Sequence, residues 1–567
     1  MRVCRVAPDV TAVERVFDYL VPDELAARVR VGTIVRVPLH GRRVRGWVIA
    51  DGVTPEVDTD TKLLPLLAVA SQGPPDDVVA LSEWIGWRWA GPRVAVLRSA
   101  SPANTVLSVD WPAPRSRVVA PPPRVIRVPP LHDRRELVES LLAPDGSSIV
   151  CVADGQRAGA LARWLVGRGH GVALLHSDLA AAPRTDAWRR AAAGGCVVVG
   201  GRIAALAPVP DLASAVVVDD ADEALQEERV PTWHARDVLH ERAARAGAAW
   251  SVVSPAPTIE AESIVDFASE APPADVEASG WPRVVVVDRR EEPPGARLLT
   301  EPLARALRDT DELALCVLNR RGRFRLLACD ACHDLLRWEP KAERPAICPA
   351  CGAARLRVLR AGVTRVGEEL AALLPGKRVV DVDAETGDIS ADADVVVGTE
   401  AVLHRIDIRR RRPALIAYLD LDQELLAPRY RAATQALWLV VRGAQALAGR
   451  PRAETRLLLQ TRAPDHEVVR AVEAGRPELV IEAETGRRRA LEYPPFGALA
   501  ELTGDDDALR AAAAVLRDAG VRVLGPSDGH ALAQAGEPDD LARALAEALP
   551  PARTHGRLRA AVDPPRV

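Results

Sequence analysis

Apolar positions along this chain come in two rhythms. Through residues 1–105 they form short runs broken by polar and turn residues, as in "GTIVRVPLHGRRVRGWVIA", the pattern of strands in a small barrel or meander. A helix is expected over "PPDDVVALSEWIGWRWA", where Trp84, Trp87 and Trp89 read as core in preference to a base-stacking platform. Residues 106–130 include Pro121, Pro122, Pro123, Pro129 and Pro130 and read as an extended linker.

Beyond the prolines the rhythm changes to continuous apolar runs separated by amphipathic stretches. "SSIVCVAD", "GVALLHS", "CVVVGG", "AVVVDDAD" and "WSVVSPAP" make one series over 131–298. "ELALCVLN", "KRVVDVD", "ADVVVGTE", "ALIAYLDLD" and "TRLLLQT" make a second over 299–466. Strands buried on both faces and joined by crossover helices read this way, so two α/β lobes with parallel sheets are expected. Residues 467–567 read as a small α+β unit with two alanine-rich helices.

Composition narrows the chemistry. The chain has 567 residues, a net charge of −4 and 48% hydrophobic residues, the profile of an ordinary globular protein. Its basic residues are lopsided, with 71 arginines against three lysines, Lys62, Lys341 and Lys377. A phosphate loop G-x-x-x-x-G-K-[ST] needs a compact ammonium that a guanidinium fork does not replace. Only Lys377 follows a glycine, with Arg378 next and Ala371 at the first-glycine position, so a conventional P-loop is excluded. The first residues lack an apolar signal core and no window approaches ~18 apolar residues, so a cytoplasmic protein with no membrane partner is expected.

The cysteines carry the strongest local signal. Cys329, Cys332, Cys348 and Cys351 form C-x2-C-x15-C-x2-C, two pairs that can each turn two thiolates toward one ion. Four protein ligands leave no place for water, so one structural Zn²⁺ is expected in a module over 326–356. The other four cysteines are isolated, which argues against a disulfide framework. Asp219 and Asp220 follow an apolar strand, the position of an acid that holds Mg²⁺, although such a pair alone is more simply a loop cap. Residues 401–450 carry nine arginines against four acids, a charge that suits nucleic acid.

An ordered series of segments sharpens these readings. "RVFDYLVP", "GTIVRVPLHGRRVRGWVI", "VVVGGRIAAL", "VVVDDAD", "VLNRRGR", "CPACG", "VVVGTEAVL", "YLDLDQELLAPRYRA" and "YPPF" together resemble the PriA (primosomal protein N′) family, replication-restart DNA helicases of superfamily 2. The resemblance implies an α/β protein with an N-terminal β-rich DNA 3′-end-binding domain. Two RecA-like lobes with a zinc-binding insertion and a small α+β C-terminal domain would follow. It maps a DNA 3′-end pocket onto Phe17, Asp18, Gly41 and Lys62. It also makes Asp219, Asp220 and Arg450 the remnants of a nucleotide site.

The departures from that family matter as much. Its D-E-x-H reads Asp219-Asp220-Ala221-Asp222, its S-A-T-P reads Ser254-Pro255-Ala256-Pro257, and its G-R-x-G-R ends in Gly449-Arg450 with one arginine of two. Eight cysteines for two zinc ions are reduced to four. The expectation is a helicase fold without ATP hydrolysis: no catalytic residue, and no ATP as cofactor. Such a protein would bind branched DNA or a replication fork with a free 3′ end. It would engage primosome proteins and the machinery that loads the replicative helicase, in a cytoplasmic, nucleoid-associated setting. Two other readings stay open, an active ATP-dependent 3′-to-5′ helicase with an unconventional nucleotide site and a zinc-containing scaffold or regulatory protein.

Overall fold

The computed structural model describes residues 2–10, 15–55, 63–112, 119–292, 298–319, 325–329, 331–332, 335–338, 345–354, 356–358, 362–382, 392–405 and 411–567. They divide into two compact units: 1–128 with 134–271 and 484–567, and 129–133 with 272–483.

The first unit opens with strands β1 (Val3–Pro8), β2 (Phe17–Leu20), β3 (Ile34–Leu39), β4 (Arg42–Asp51) and β5 (Ala68–Ser71). They form an antiparallel sheet in the order β2-β1-β4-β3-β5. The β3–β4 turn is two residues long, His40 (φ 47°) and Gly41 (φ 76°), the left-handed pair that matches strand twist in a tight hairpin. Alternation sends Cys4, Val6, Tyr19, Val35, Val37 and Val48 into one core. Ile34 and Trp47 pack instead with Val79, Val94 and Leu97, on helices Asp76–Arg88 and Arg93–Ala100. Trp84 meets the buried Trp89 edge to face at 5.3 Å, as the core reading expects, while Trp87 is 37% exposed.

The stretch read as a linker is built into the unit at both ends. Val106 accepts a hydrogen bond from the Gln72 amide and donates to Ser71 Oγ. Trp111 meets Trp188 edge to face at 6.0 Å. Strand β6 (Arg124–Arg127) pairs in parallel with a lobe strand, so the first lobe begins before residue 131. Prolines keep this segment extended, but burying Val106 and Trp111 stabilises it against the domains it joins.

The lobe continues with β7 (Ser147–Val152), β8 (Val172–Leu175), β9 (Val197–Gly200), β10 (Leu212–Val218) and β11 (Ala249–Ser254), in the order β6-β11-β10-β7-β9-β8. All its pairs are parallel, and β7, β9 and β10 are buried along their whole length. That two-sided burial is why they read as unbroken apolar runs.

The second unit holds β12 (Arg283–Asp288) and β13 (Ala314–Val317), then β14 (Arg325–Cys329), β15 (Leu335–Trp338) and β16 (Leu356–Val358). β17 (Val379–Val382), β18 (Val395–Gly398), β19 (Leu415–Tyr418) and β20 (Arg456–Thr461) complete it. Its parallel sheet runs β12-β20-β19-β13-β18-β17. Counted within each lobe, both sheets have the order 1-6-5-2-4-3, so the lobes are two copies of one RecA-like plan. β12 pairs with β20 over six residues, which moves the second lobe's start ahead of 299. The β15-β14-β16 sheet is thus inserted after the lobe's second strand.

The chain ends back in the first unit with β21 (Ala498–Gly504), β22 (Arg522–Ser527), β23 (His530–Ala535) and β24 (Leu558–Val562), an antiparallel sheet in the order β22-β23-β21-β24. The two alanine-rich helices, Asp506–Asp518 and Pro538–Ala552, pack on it. Ala512, Ala544 and Ala548 join the first lobe's core. Residues 467–483 belong to the second unit, so the terminal unit starts at 484 and not 467. No helix among the described residues is long and apolar enough to cross a membrane.

Candidate functional site

Three places carry the chemistry. In the N-terminal sheet, Phe17 and Asp18 lie on β2 and Gly41 at the β3–β4 turn. The Asp18 carboxylate is 4% exposed and accepts from Arg5 Nε at 2.9 Å, which orients it. Tyr19, between these positions, donates its hydroxyl to the Pro38 carbonyl at 3.0 Å and so ties β2 to the strand that leads into the Gly41 turn. The Leu20 amide donates to the Leu64 carbonyl at 3.0 Å. Lys62 lies outside the described residues.

At the carboxyl end of β10 stand Asp219 and Asp220, on the edge where open α/β sheets bind ligands. Asp219 takes the left-handed conformation (φ 60°), an uncommon one for a residue with a Cβ. Its carboxylate is paired with Arg134, at the start of helix Arg135–Ser140, and has Arg157 at 3.7 Å. A cation seeking Asp219 would therefore compete with two guanidiniums already there.

Asp220 points the other way, into the lobe. It is fully buried and accepts from the Thr258 hydroxyl and, at 3.2 Å, from the Thr258 amide, with Arg236 at 3.7 Å. Burial pushes its carboxyl up to about 6, against the pull of Arg236 and the Thr258 hydrogen bonds. Arg236 also pairs with Asp237 at 2.9 Å, so the acid belongs to an internal charge network. The sequence reading missed Arg134, Arg157, Arg236 and Thr258. The usable signal for Arg134 was the strand–loop–helix unit at 124–140, half of which the prolines had hidden.

Arg450 belongs to the second unit. Its guanidinium donates to Glu312 at 2.9 Å and to the Arg412 carbonyl at 3.0 Å, just ahead of β13 and β19. That is the amino-terminal edge of the lobe's sheet, the edge opposite the one where such sheets bind ligands. Arg450 thus has its partners within its own lobe.

The four cysteines come together. All four Sγ atoms lie within 4.8 Å of one another, with Cys329–Cys351 at 3.5 Å and Cys332–Cys348 at 3.7 Å. The edge of a tetrahedron of sulfurs around one zinc is roughly 3.8 Å at normal Zn–S bond lengths, so the donor set fits one ion. Cys329 closes β14, and the amides of Cys332 and Ala331 hold its thiol down, to about 7. In the second pair the Gly352 amide donates to the Cys348 carbonyl at 2.7 Å, and Gly352 takes φ 72° to close the turn.

Tandem lobes of one strand order, a β-rich N-terminal domain and a four-cysteine insertion define a helicase-fold protein of the two-lobed RecA-like class. A family model described as the 3′DNA-binding domain (3′BD) of PriA matches residues 5–102. Replication restart protein PriA of Bacillus subtilis is 26% identical over 448 residues, 69% of this chain and 55% of that protein. The Treponema pallidum protein of the same name is 29% identical over 367 residues, 58% of this chain and 55% of its own length. The chain thus spans about half the length of these relatives. A Mycobacterium tuberculosis protein named "Probable replication restart protein PriA" is 29% identical over 568 residues, 87% of this chain and 85% of that protein. Among solved structures, Saccharomyces cerevisiae Dbp5 bound to RNA and ADP BeF3 aligns with 65% of this chain and 90% of its own, at 11% identity and a TM-score of 0.36. Residues 5–102 thus match the 3′DNA-binding domain of PriA, and most of the chain is similar to proteins named replication restart protein PriA.

Proposed function

We propose that this protein is a replication-restart factor that binds branched DNA with a free 3′ end and promotes primosome assembly without unwinding DNA at the expense of ATP. The match of residues 5–102 to the family's DNA-binding domain supports the DNA half, as does the oriented carboxylate of Asp18. The observation that carries the other half is the ion pairing of Asp219 with Arg134 and Arg157. A metal–phosphate cluster needs an acid open to Mg²⁺ and a lysine set in a glycine-rich turn. Here the residues that follow β6 read Val128-Pro-Pro-Leu-His-Asp133, the next residue is an arginine, and that arginine neutralises the acid. Asp220, where the family has the glutamate that polarises water, is fully buried.

The four thiolates hold one Zn²⁺ in this reading, and its role is to fold the insertion. Fork binding measured beside DNA-stimulated ATP turnover tests the proposal. Binding that prefers a 3′ hydroxyl with turnover at background supports it. Turnover that disappears in Asp220→Ala favours an active helicase instead.

A further inference from the structure

The first unit contains a further concave, charged place, built from none of the candidate site residues above. A cavity of ≈ 390 Å³ opens between the end of helix Arg93–Ala100 and lobe residues on and after β8 and β9, a volume within the range of small-molecule sites. Its charge is one-sided: Arg45, Arg98 and Arg184 line it with one carboxylate, Asp9. Arg98 takes Asp9, at 2.5 Å. Among the described residues, Arg184 reaches only the Ser177 carbonyl, at 3.4 Å. Arg45 lies 5.5 Å from the centre of the Trp47 ring, and its Nε is buried with no hydrogen-bond partner among the described residues.

Burial lowers the Arg45 guanidinium below its ordinary value, and Arg36 and Arg98 add to that while Asp9 opposes it. An anion in the cavity would relieve this repulsion and supply the missing acceptor. The opposite wall is apolar, from Leu175, Ile203, Leu206 and Trp188. Hydrogen bonds tie the two walls, Trp188 Nε1 to the Ala100 carbonyl at 2.9 Å and the Asn104 amide to Thr185 Oγ1 at 2.9 Å, so the cavity is preformed.

Guanidinium forks facing an apolar wall match one chemical class, a phosphate ester carrying a sugar and a flat base. We propose that this cavity seats one nucleotide unit of a DNA strand, its phosphate on Arg45 and Arg184. The inference rests on the DNA-binding reading above and adds to it a strand contact separate from the 3′-end pocket.

Fluorescence anisotropy of the full chain tests it, with a single strand, a fork ending in a 3′ hydroxyl, the same fork ending in a 3′ phosphate, and free dAMP as a competitor. Arg184→Ala and Arg45→Gln should each weaken single-strand and fork binding about tenfold, the weight of a charged hydrogen bond. Each should also flatten the dependence of log affinity on log salt by about 0.7, one phosphate contact on a single strand. The preference for a 3′ hydroxyl should persist. Arg184 is on a helix surface, so its alanine variant keeps the test valid if Arg45→Gln does not fold. Wild-type binding with a 3′ preference, unchanged in affinity and salt slope by Arg184→Ala, overturns this inference and leaves the DNA-binding reading standing. Failure of the wild type to bind any of the DNAs overturns both. Binding of dAMP that depends on Arg184 while strand binding does not overturns the strand assignment in favour of a free nucleotide.

Discussion

Asp220 follows an apolar strand, fully buried, with its carboxyl pushed up to about 6 by burial. An acid whose folded pKa exceeds its unfolded value binds more protons in the folded state, so its contribution to stability falls as pH rises from about 4 to 6 and stays low above that. Asp220→Asn should therefore gain about 1 kcal/mol on the wild type between pH 5 and pH 8 in urea unfolding, and a difference independent of pH contradicts the assignment. Its neighbour is held by an ion pair. Asp219 is almost fully buried against Arg134, so Arg134→Ala should cost about 1–3 kcal/mol, and Arg134→Ala with Asp219→Ala together should cost less than the sum. Additivity in that double-mutant cycle means the pair is not coupled. The sequence made the two acids conspicuous, because an Asp pair after a strand is local. Their partners were not legible, because Arg134 and Thr258 reach the acids from loops 85 and 38 residues away.

Among the elements, the strands buried on both faces were the most legible, since two-sided burial leaves an unbroken apolar run. β6 and β12 escaped the reading for opposite reasons. β6 follows three prolines that mark a linker, and "RVVVVD" of β12 fell within the stretch assigned to the first lobe. The two lobes also share a backbone device. Gly200 ends β9 and Gly398 ends β18, and a Cβ at either would collide with the carbonyl of the neighbouring strand, at Leu175 or Val382. Gly200→Ala and Gly398→Ala should each lower stability by about 1–3 kcal/mol, whereas Gly167→Ala, where a Cβ meets open space in a helix, should not destabilise. Thermal melts of the three variants check this. The insertion makes its own prediction: metal analysis should find about one zinc per chain, and Cys348→Ser should release it and expose residues around β14–β16 to limited proteolysis. A value near two, or no loss of zinc in the variant, contradicts the closed four-thiolate site.

For the whole molecule, the two-lobed plan was legible because each lobe repeats the same alternation of strand and helix. The identity of strand order, 1-6-5-2-4-3 in both, was not, because parallel neighbours are distant in sequence. In the function proposed above, a helicase frame lacking a P-loop lysine, with its metal-site acid paired to arginine, is kept for binding DNA. Equilibrium binding of a fork and DNA-stimulated ATP hydrolysis, measured on one preparation of the full chain, decide between this role and an active helicase. The expected result is salt-sensitive binding that is stronger with a 3′ hydroxyl than with a 3′ phosphate, and ATP turnover that DNA does not raise above background. ATP turnover stimulated by the fork and lost in Asp220→Ala would contradict it.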